Sequence, residues 1–290
     1  MAHTVVAEAE ALLDKEYPVL DKGFVRLVDY LGSDQRIVQA ARVSYGEGTK
    51  SYRQDRGLID YLLRNEHTSP FEQVVLTFHT KMPIFVARQW VRHRTARLNE
   101  ISGRYSVMKD EFYVPDGPHI SFQSEDNKQG RSEEAVDPAV QTEIQESLAT
   151  QQGAAYAAYM DLVNRGLARE LARINLPLAM YTEWYWQIDL HNLFHFLRLR
   201  MDAHAQYEIR VYAQTMFEIA KTVAPMACQS FSDHLLGGVR FSAVELEALR
   251  SLLGDSARDS QALAQGLERA GLALKDRDRL VTKIVEGRQN

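Results

Sequence analysis

Five arginines, one histidine and one glutamate fall within the seventeen residues 88–104, which read RQWVRHRTARLNEISGR. Arginine suits a site for anions, because its planar guanidinium pairs with two anionic oxygens at once. Most charge runs of this kind are solvated surface. Here, however, Arg92, His93 and Arg94 close an otherwise apolar helix, and Ser102 is followed by Gly103, whose backbone can approach a ligand because glycine has no Cβ. The pattern favours an anion-binding site.

The glycine-rich phosphate loops are missing from this chain. It contains neither G-x-G-x-x-G after a strand nor G-x-x-x-x-G-K-[ST]. A bound phosphate would therefore be held by side chains, and the arginines of residues 88–104 are the suitable groups.

His191 and His195 form a second group with chemical potential. Their i, i+4 spacing puts both imidazoles on one side of a helix, where they could hold a metal. A metal-dependent hydrolase is therefore one alternative, although Asn192 stands where H-E-x-x-H needs glutamate. An arginine-rich nucleotide- or RNA-binding module is a second alternative, which leaves the histidines without a role.

The composition narrows these classes. With 34 Lys+Arg against 39 Asp+Glu, the formal net charge is −5, which argues against binding of long nucleic acid. The single cysteine, Cys228, lies in an apolar stretch without an adjacent cation, so a core position is favoured over a reactive thiolate. No apolar run approaches the ~20 residues that a membrane span needs, and the first twenty residues lack a signal-peptide pattern. We expect a cytoplasmic protein.

Strands and helices must position the candidate residues. Residues 74–81 alternate as a strand does, and Pro83 suits the first turn of a following helix that carries residues 84–91. Residues 180–188 predict a second half-buried strand. Asp189 is placed to cap the next helix, whose apolar residues have i, i+3, i+4, i+7 spacing. These residues are Leu190, Leu193, Phe194 and Leu197.

The rest of the chain predicts further helices at about residues 141–164 and 204–223. Residues 115–138 contain few apolar side chains and are predicted to form an exposed, mobile loop. Ser242 and Glu245 form a capping-box signature that opens a helical tail. The expected fold is α+β: a mixed sheet flanked by helices in one large domain, residues 1–242, followed by a helical extension, residues 243–290.

Three blocks of the chain resemble flavin-dependent thymidylate synthases. Arg92-His93-Arg94, followed by seven residues and Ser102, is similar to the family signature, and the surrounding QWVRHRTARLNEISGRYS resembles the family throughout. So do HTSPFE at residues 67–72 and DLHNLFHFLRLRMDAHAQYEIR at residues 189–210. The resemblance covers residues 24–231 apart from the acidic loop, and three blocks in order are more specific than one pattern.

The resemblance implies residue roles. Contacts with deoxyuridylate (dUMP) correspond to Gln89, Arg92, Glu100, Ile101, Ser102, Gly103, Arg104, Arg173 and Arg200. Flavin contacts correspond to Ser69, Arg92, His93, Arg94, Glu100, Asp189, His191 and His195. Arg200 is also the implied catalytic residue, which stabilises the uracil ring deprotonated at N3.

The resemblance also implies a reaction and an assembly. The reaction is reductive methylation of dUMP to dTMP, with 5,10-methylenetetrahydrofolate as carbon donor and NADPH-reduced FAD as hydride source, releasing tetrahydrofolate. The active sites would lie between subunits of a homotetramer. No metal and no covalent nucleophile are expected, so Ser102 is interpreted as a substrate contact and Cys228 as a core residue.

Overall fold

The computed structural model describes residues 5–43, 52–125, 128, 130–132, 134–254 and 259–286. It divides into two compact units, Met1–Ser232 and Asp233–Asn290. The strands are β1 (Glu16–Val19), β2 (Gly23–Leu31), β3 (Val75–Pro83), β4 (Arg97–Glu100) and β5 (Tyr181–Asp189). The helices of the first unit are α1 (Ala7–Glu10), α2 (Asp34–Ala41), α3 (Tyr52–Arg64), α4 (Ile84–Trp90), α5 (Pro138–Asn164), α6 (Arg169–Ala172), α7 (Leu190–Arg200), α8 (Tyr207–Val223) and α9 (Pro225–Phe231). Short 3₁₀ turns lie at Phe71–Gln73, Gly117–His119 and Arg173–Asn175.

The five strands form one sheet in the order β1-β2-β3-β5-β4. Every pairing is antiparallel, so the predicted mixed sheet is wrong, while the α+β class is confirmed. The reason lies in the connection between β2 and β3: α2 and α3 pack on each other and return the chain to the end of the sheet it left. β4 pairs with β5 and is an edge strand whose four residues are all exposed.

The sheet has one apolar and one polar face, as alternation along the strands requires. Phe78, Trp184 and Trp186 are buried on the face covered by helices. On the opposite face His79 stacks on Tyr185 across the β3–β5 pairing, with ring centroids 4.7 Å apart. The core therefore lies on the helical side, where α4, α7 and α8 meet the strands.

The predicted elements that carry site residues are confirmed within a few residues. The strand expected at 74–81 is β3, and the helix after Pro83 is α4. The strand expected at 180–188 is β5, and the capped helix after it is α7. The helices expected at 141–164 and 204–223 are α5 and α8.

The acidic segment, residues 115–138, is only partly the exposed loop that its composition predicts. Most of its described residues are exposed, but Ile120 and Val136 are buried. Arg131 forms an ion pair with the buried Glu208 of α8 at 2.6 Å, and Asp137 caps α5 by accepting a hydrogen bond from the amide of Ala139. The prediction of a wholly exposed loop is wrong at these positions, because isolated apolar residues and a distant ion partner leave no periodic signal.

The second unit contains α10 (Ala243–Leu253), α11 (Ser260–Arg269) and α12 (Leu274–Glu286). The predicted capping box is confirmed: the Ser242 hydroxyl accepts from the Glu245 amide, and the Glu245 carboxylate accepts from the Ser242 amide. α11 and α12 pack on each other, with Arg277 bonded to Glu268 at 2.9 Å. Across both units, no helix in the described ranges is long and apolar enough to cross a membrane.

Candidate active site

α4 delivers a cluster of cations to a cleft because Trp90 anchors the end of the helix in the core. Trp90 is fully buried, packs edge-on against Trp186 of β5 with ring centroids 5.3 Å apart, and stacks on Phe196 of α7 at 5.0 Å. Aromatic contacts of this kind are among the larger contributions to a core. The helix ends at this anchor, so Arg92 and Arg94 follow a buried residue and turn toward solvent.

α7 supplies the opposite wall of the cleft. Asp189 caps the helix by accepting from the backbone amide of Asn192 at 2.9 Å and from its side-chain amide at 2.7 Å. The predicted apolar stripe faces the core, and all four of its members are buried: Leu190, Leu193, Phe194 and Leu197. His195 is left exposed and Arg200 half-buried, both facing the cleft.

A cavity of about 330 Å³ lies between these two helix segments. Its volume is within the range of small-molecule sites. Its lining combines cations, imidazoles and a few apolar side chains: Arg92, His93, Arg94, Thr95, Ile188, Asn192, His195, Leu199 and Arg200.

His93 and Arg200 hold each other in this cavity. Nε of Arg200 donates to Nε2 of His93 at 3.0 Å, and Nη2 of Arg200 donates to the backbone oxygen of Gln89 at 3.3 Å. Burial, followed by the charges of Arg200 and His195, lowers the pKa of His93 to about 4. His93 is therefore neutral at pH 7, which leaves Nε2 as the acceptor that Arg200 needs.

The cavity is strongly positive. No carboxylate in the described part of the chain pairs with Arg92, Arg94 or Arg200. Burial and the nearby charge of Arg92 lower the pKa of Arg200, although a guanidinium remains charged in proteins. Three arginines that no carboxylate in the described ranges neutralises are suited to a ligand that carries anionic oxygens.

The segment after β4 forms a second group of predicted residues. The Ser102 hydroxyl accepts from the amide of Arg104 at 3.3 Å, which sets a tight turn. A Cβ on Gly103 would lie 2.7 Å from Sδ of Met108 and 3.1 Å from Nη1 of Arg173. Glycine at this position therefore permits the close approach of Arg173 to the turn.

The remaining members of this group have polar partners within the chain. The Glu100 carboxylate accepts from the Thr182 hydroxyl at 2.6 Å, and the Ile101 amide donates to a carbonyl of β5 at 2.9 Å. Arg104 pairs with Glu170 at 3.1 Å, but both side chains are more than half exposed. An exposed pair of this kind contributes little to stability, so Arg104 can exchange its partner for a ligand.

Comparison with known proteins identifies the family. The family described as thymidylate synthase complementing protein matches residues 26–226. A flavin-dependent thymidylate synthase of Treponema denticola is 65% identical over 277 residues, which are 96% of this chain and 100% of the relative. Its namesake in Treponema pallidum is 57% identical over 289 residues, which are 100% of this chain and 91% of the relative. The chain belongs to the flavin-dependent thymidylate synthases.

A solved structure agrees with this assignment. The UMP/dUMP methylase PolB from Streptomyces cacaoi, bound with 5-Br dUMP, is 32% identical to this chain with a TM-score of 0.68. The alignment covers 76% of this chain and 99% of PolB. The chain is thus an enzyme whose activity is flavin-dependent thymidylate synthesis, as its three sequence blocks predict.

For this flavin-dependent thymidylate synthase, the structure gathers some of the predicted site residues and separates others. The cavity brings together Arg92, His93, Arg94, His195 and Arg200. Asp189 and Gln89 are not in the lining: Asp189 caps α7, and the backbone oxygen of Gln89 accepts a hydrogen bond from Arg200. Ser69 and His191 lie outside the cavity lining, as do Glu100, Ile101, Ser102, Gly103, Arg104 and Arg173.

Four lining residues were not singled out from the sequence as site residues: Thr95, Ile188, Asn192 and Leu199. A signal for two of them exists. Asn192, His195 and Leu199 follow i, i+3, i+7 spacing in α7, which is one helix face, whereas Ile188 belongs to β5. His191 lies at the margin of that face, which explains why it shares a helix with the cavity but not its lining.

The metal alternative finds no structural counterpart. Among the residues that the structure describes, no group of three or more His, Cys, Asp or Glu side chains is placed to hold a metal ion. The His191 and His195 pair therefore has no third ligand of this kind within those ranges.

Proposed function

We propose that the flavin is FAD, that NADPH reduces it, and that the enzyme methylates dUMP with 5,10-methylenetetrahydrofolate as carbon donor. The observation that carries this proposal is the cavity, in which Arg92, Arg94 and Arg200 pair with no carboxylate of the described residues. Reduced flavin supplies the hydride that completes the methyl group. The chain's own residues bind, orient and polarise the reactants.

The donor set suits a flavin dinucleotide. Arg92 and Arg94 offer guanidinium groups to its phosphates, and the exposed His195 adds a ring nitrogen. FAD as a whole is larger than a cavity of about 330 Å³, so part of it would extend along the neighbouring surface. We assign Ser69, Glu100, Asp189 and His191 to that outer part.

The turn after β4 suits the nucleotide. Arg104 and Arg173 flank Ser102 and Gly103 and are exposed, so they can bind phosphate and ribose oxygens. Gln89 and Ile101 complete this group, and PolB, which shares the fold, is solved with 5-Br dUMP.

The geometry of Arg200 supports the proposed catalytic role. Its Nε and Nη2 are held by His93 and by the backbone of Gln89, and Nη1 has no partner in the described part of the chain. A fixed guanidinium with one free nitrogen can bond a uracil ring that loses its N3 proton. Loss of the N3 proton places negative charge on the uracil ring, and this charge makes the C5 carbon of the ring nucleophilic.

The site is completed by other subunits of a homotetramer in this proposal. β4 is an exposed edge strand directly before the nucleotide turn. Tyr105, Ile174 and Leu178, near the same turn, are 79%, 68% and 62% exposed. Exposed edges and apolar patches mark surfaces that bind other chains.

We place the enzyme in the cytoplasm, where nicotinamide and folate substrates are available.

A single set of measurements on the purified holoenzyme tests these assignments. The flavin released by denaturation is identified by chromatography, and light scattering gives the subunit number. NADPH is then added anaerobically with and without dUMP while the flavin absorbance is followed. We expect FAD, a tetrameric mass and bleaching by NADPH; FMN, a stable monomer or unreduced flavin would each overturn the corresponding assignment.

A further inference from the structure

A chain of hydrogen bonds connects Arg131 of the acidic segment to Gln89 of α4, the residue whose backbone oxygen binds Arg200, and it passes through a buried carboxylate. The Glu208 side chain in α8 is 2% exposed. Nη2 of Arg131 donates to both of its oxygens, at 2.6 and 2.7 Å, and the Tyr113 hydroxyl donates at 3.1 Å. Burial raises the pKa of Glu208, but its bonds to Arg131 outweigh that effect and hold the pKa below its ordinary value. Glu208 is therefore ionised at pH 7.

An ionised carboxylate fixes the orientation of the amide beside it. Such a carboxylate can only accept hydrogen bonds, so Gln206 must turn its NH₂ group to Glu208, and Nε2 lies 2.9 Å from Oε2. The Gln206 carbonyl oxygen then faces the other way, where it accepts from Nε2 of Gln89. Gln89 must in turn direct its own NH₂ group to Gln206.

This orientation determines what Gln89 presents to a ligand. With Nε2 engaged by Gln206, the side-chain oxygen of Gln89 is left as an acceptor. The backbone oxygen of the same residue accepts from Arg200 at 3.3 Å, and Arg200 donates to His93 at 3.0 Å. Through the side-chain amides of Gln206 and Gln89, the ionised Glu208 thus determines which atom of Gln89 is left as an acceptor next to Arg200.

We propose that Glu208, paired with Arg131 of the acidic segment, is a positioning residue that makes Gln89 present its carbonyl oxygen to the bound nucleotide. The inference rests on the proposed function, in which Gln89 contacts dUMP. In this proposal the acidic segment takes part in substrate recognition indirectly. Arg131 orients Glu208, and the hydrogen bonds from Glu208 through Gln206 orient Gln89.

Glu208→Gln tests the relay in the holoenzyme, because its amide can donate to Gln206 and reverse both glutamines. We expect the Kd and KM for dUMP to rise about tenfold, the cost of a reversed hydrogen bond at a ligand, with flavin content retained. The double variant Glu208→Gln with Gln206→Glu exchanges the two groups, restores a carboxylate acceptor next to Gln89 and conserves net charge. It should recover dUMP affinity to within about threefold of the wild type.

Two further variants make the outcomes distinguishable. Glu218→Gln changes a carboxylate of α8 that is 69% exposed and paired with Lys221, and it should leave dUMP binding unchanged. Gln89→Ala should weaken dUMP binding at least as much as Glu208→Gln does. If Gln89→Ala is silent, its assigned contact with the nucleotide is wrong and the proposal is refuted with it. If only Glu208→Gln is silent, or the double variant binds dUMP no better than Glu208→Gln, the relay alone is refuted.

Discussion

Replacing Arg200 by lysine separates charge from geometry at the cavity. The guanidinium bonds His93 through Nε and the Gln89 backbone through Nη2, so its plane is fixed by two partners. Lysine keeps the positive charge but carries a compact ammonium on a flexible stem. It can satisfy one of these partners and cannot at the same time offer a fixed donor to the uracil ring.

The magnitude follows from the bonds that are lost. A hydrogen bond to a charged group contributes about 1.5–3 kcal/mol, and each 1.36 kcal/mol in a barrier is about tenfold in rate. Loss of one such bond in the transition state alone slows turnover by roughly tenfold to a hundredfold or more. Removal of a well-placed electrostatic donor in other enzymes costs about 10²–10³. We therefore expect Arg200→Lys to form dTMP at least about a hundredfold more slowly while it still binds flavin that NADPH reduces.

Steady-state dTMP formation and anaerobic flavin reduction, measured side by side, decide this prediction. Arg198→Lys is the matched control, because Arg198 lies in the same helix, is exposed and does not line the cavity. Near-normal synthesis by Arg200→Lys, or an equal defect in Arg198→Lys, would refute the role of Arg200. A parallel loss of flavin would indicate binding rather than chemistry.

Three other changes have defined outcomes. Cys228→Ala should keep most of the dTMP-forming turnover, because Cys228 is buried, lines no part of the cavity, and burial raises the pKa of its thiol; loss of turnover in a folded, flavin-loaded variant would contradict this. Gly103→Ala should raise the KM for dUMP about tenfold, because the new Cβ would lie 2.7 Å from Sδ of Met108 and 3.1 Å from Nη1 of Arg173 and both side chains would have to shift, whereas an unchanged KM would contradict the assignment of this turn to the nucleotide. Burial raises the pKa of Asp34 to about 6 although two amides of α9 donate to it, so the folded state binds this proton more tightly than the unfolded state does. The free energy of unfolding should therefore fall by about 2 kcal/mol from pH 4 to pH 6, and denaturant titrations of Asp34→Asn should lack that decrease; an identical slope in Asp34→Asn would assign it to other groups.

The elements around the cavity could be predicted because their signals are local. The apolar stripe of α7, the cap at Asp189 and the proline at the start of α4 each depend on residues within one or two turns. The arginines before Thr95 were recognised in the same way, since they follow an apolar helix. Local patterns of this kind specify an element and its buried face.

Other features depend on residues far apart in the chain, and no local pattern contains them. The antiparallel order of the sheet is set by how α2 and α3 return the chain. Arg131 and Glu208 are separated by 77 positions, so the acidic composition around Arg131 predicted only exposure. A single sequence does not indicate which distant residue will pair with a given charged side chain, so a buried ion pair of this kind could not be predicted.

The cavity residues and the residues of the turn after β4 differ in how much of their binding site a single chain provides. The cavity has two walls, the segment that follows α4 and helix α7, fixed by the aromatic core around Trp90 and by the cap at Asp189. The nucleotide turn follows an edge strand, and its arginines are exposed. Exposed arginines hold a ligand tightly only when their rotamers are restricted, because an exposed ion pair loses most of its energy to solvent screening and side-chain entropy. If the nucleotide binds tightly at this turn, as we propose, a further surface must exclude water there, and this supports the proposal that the complete site lies between subunits.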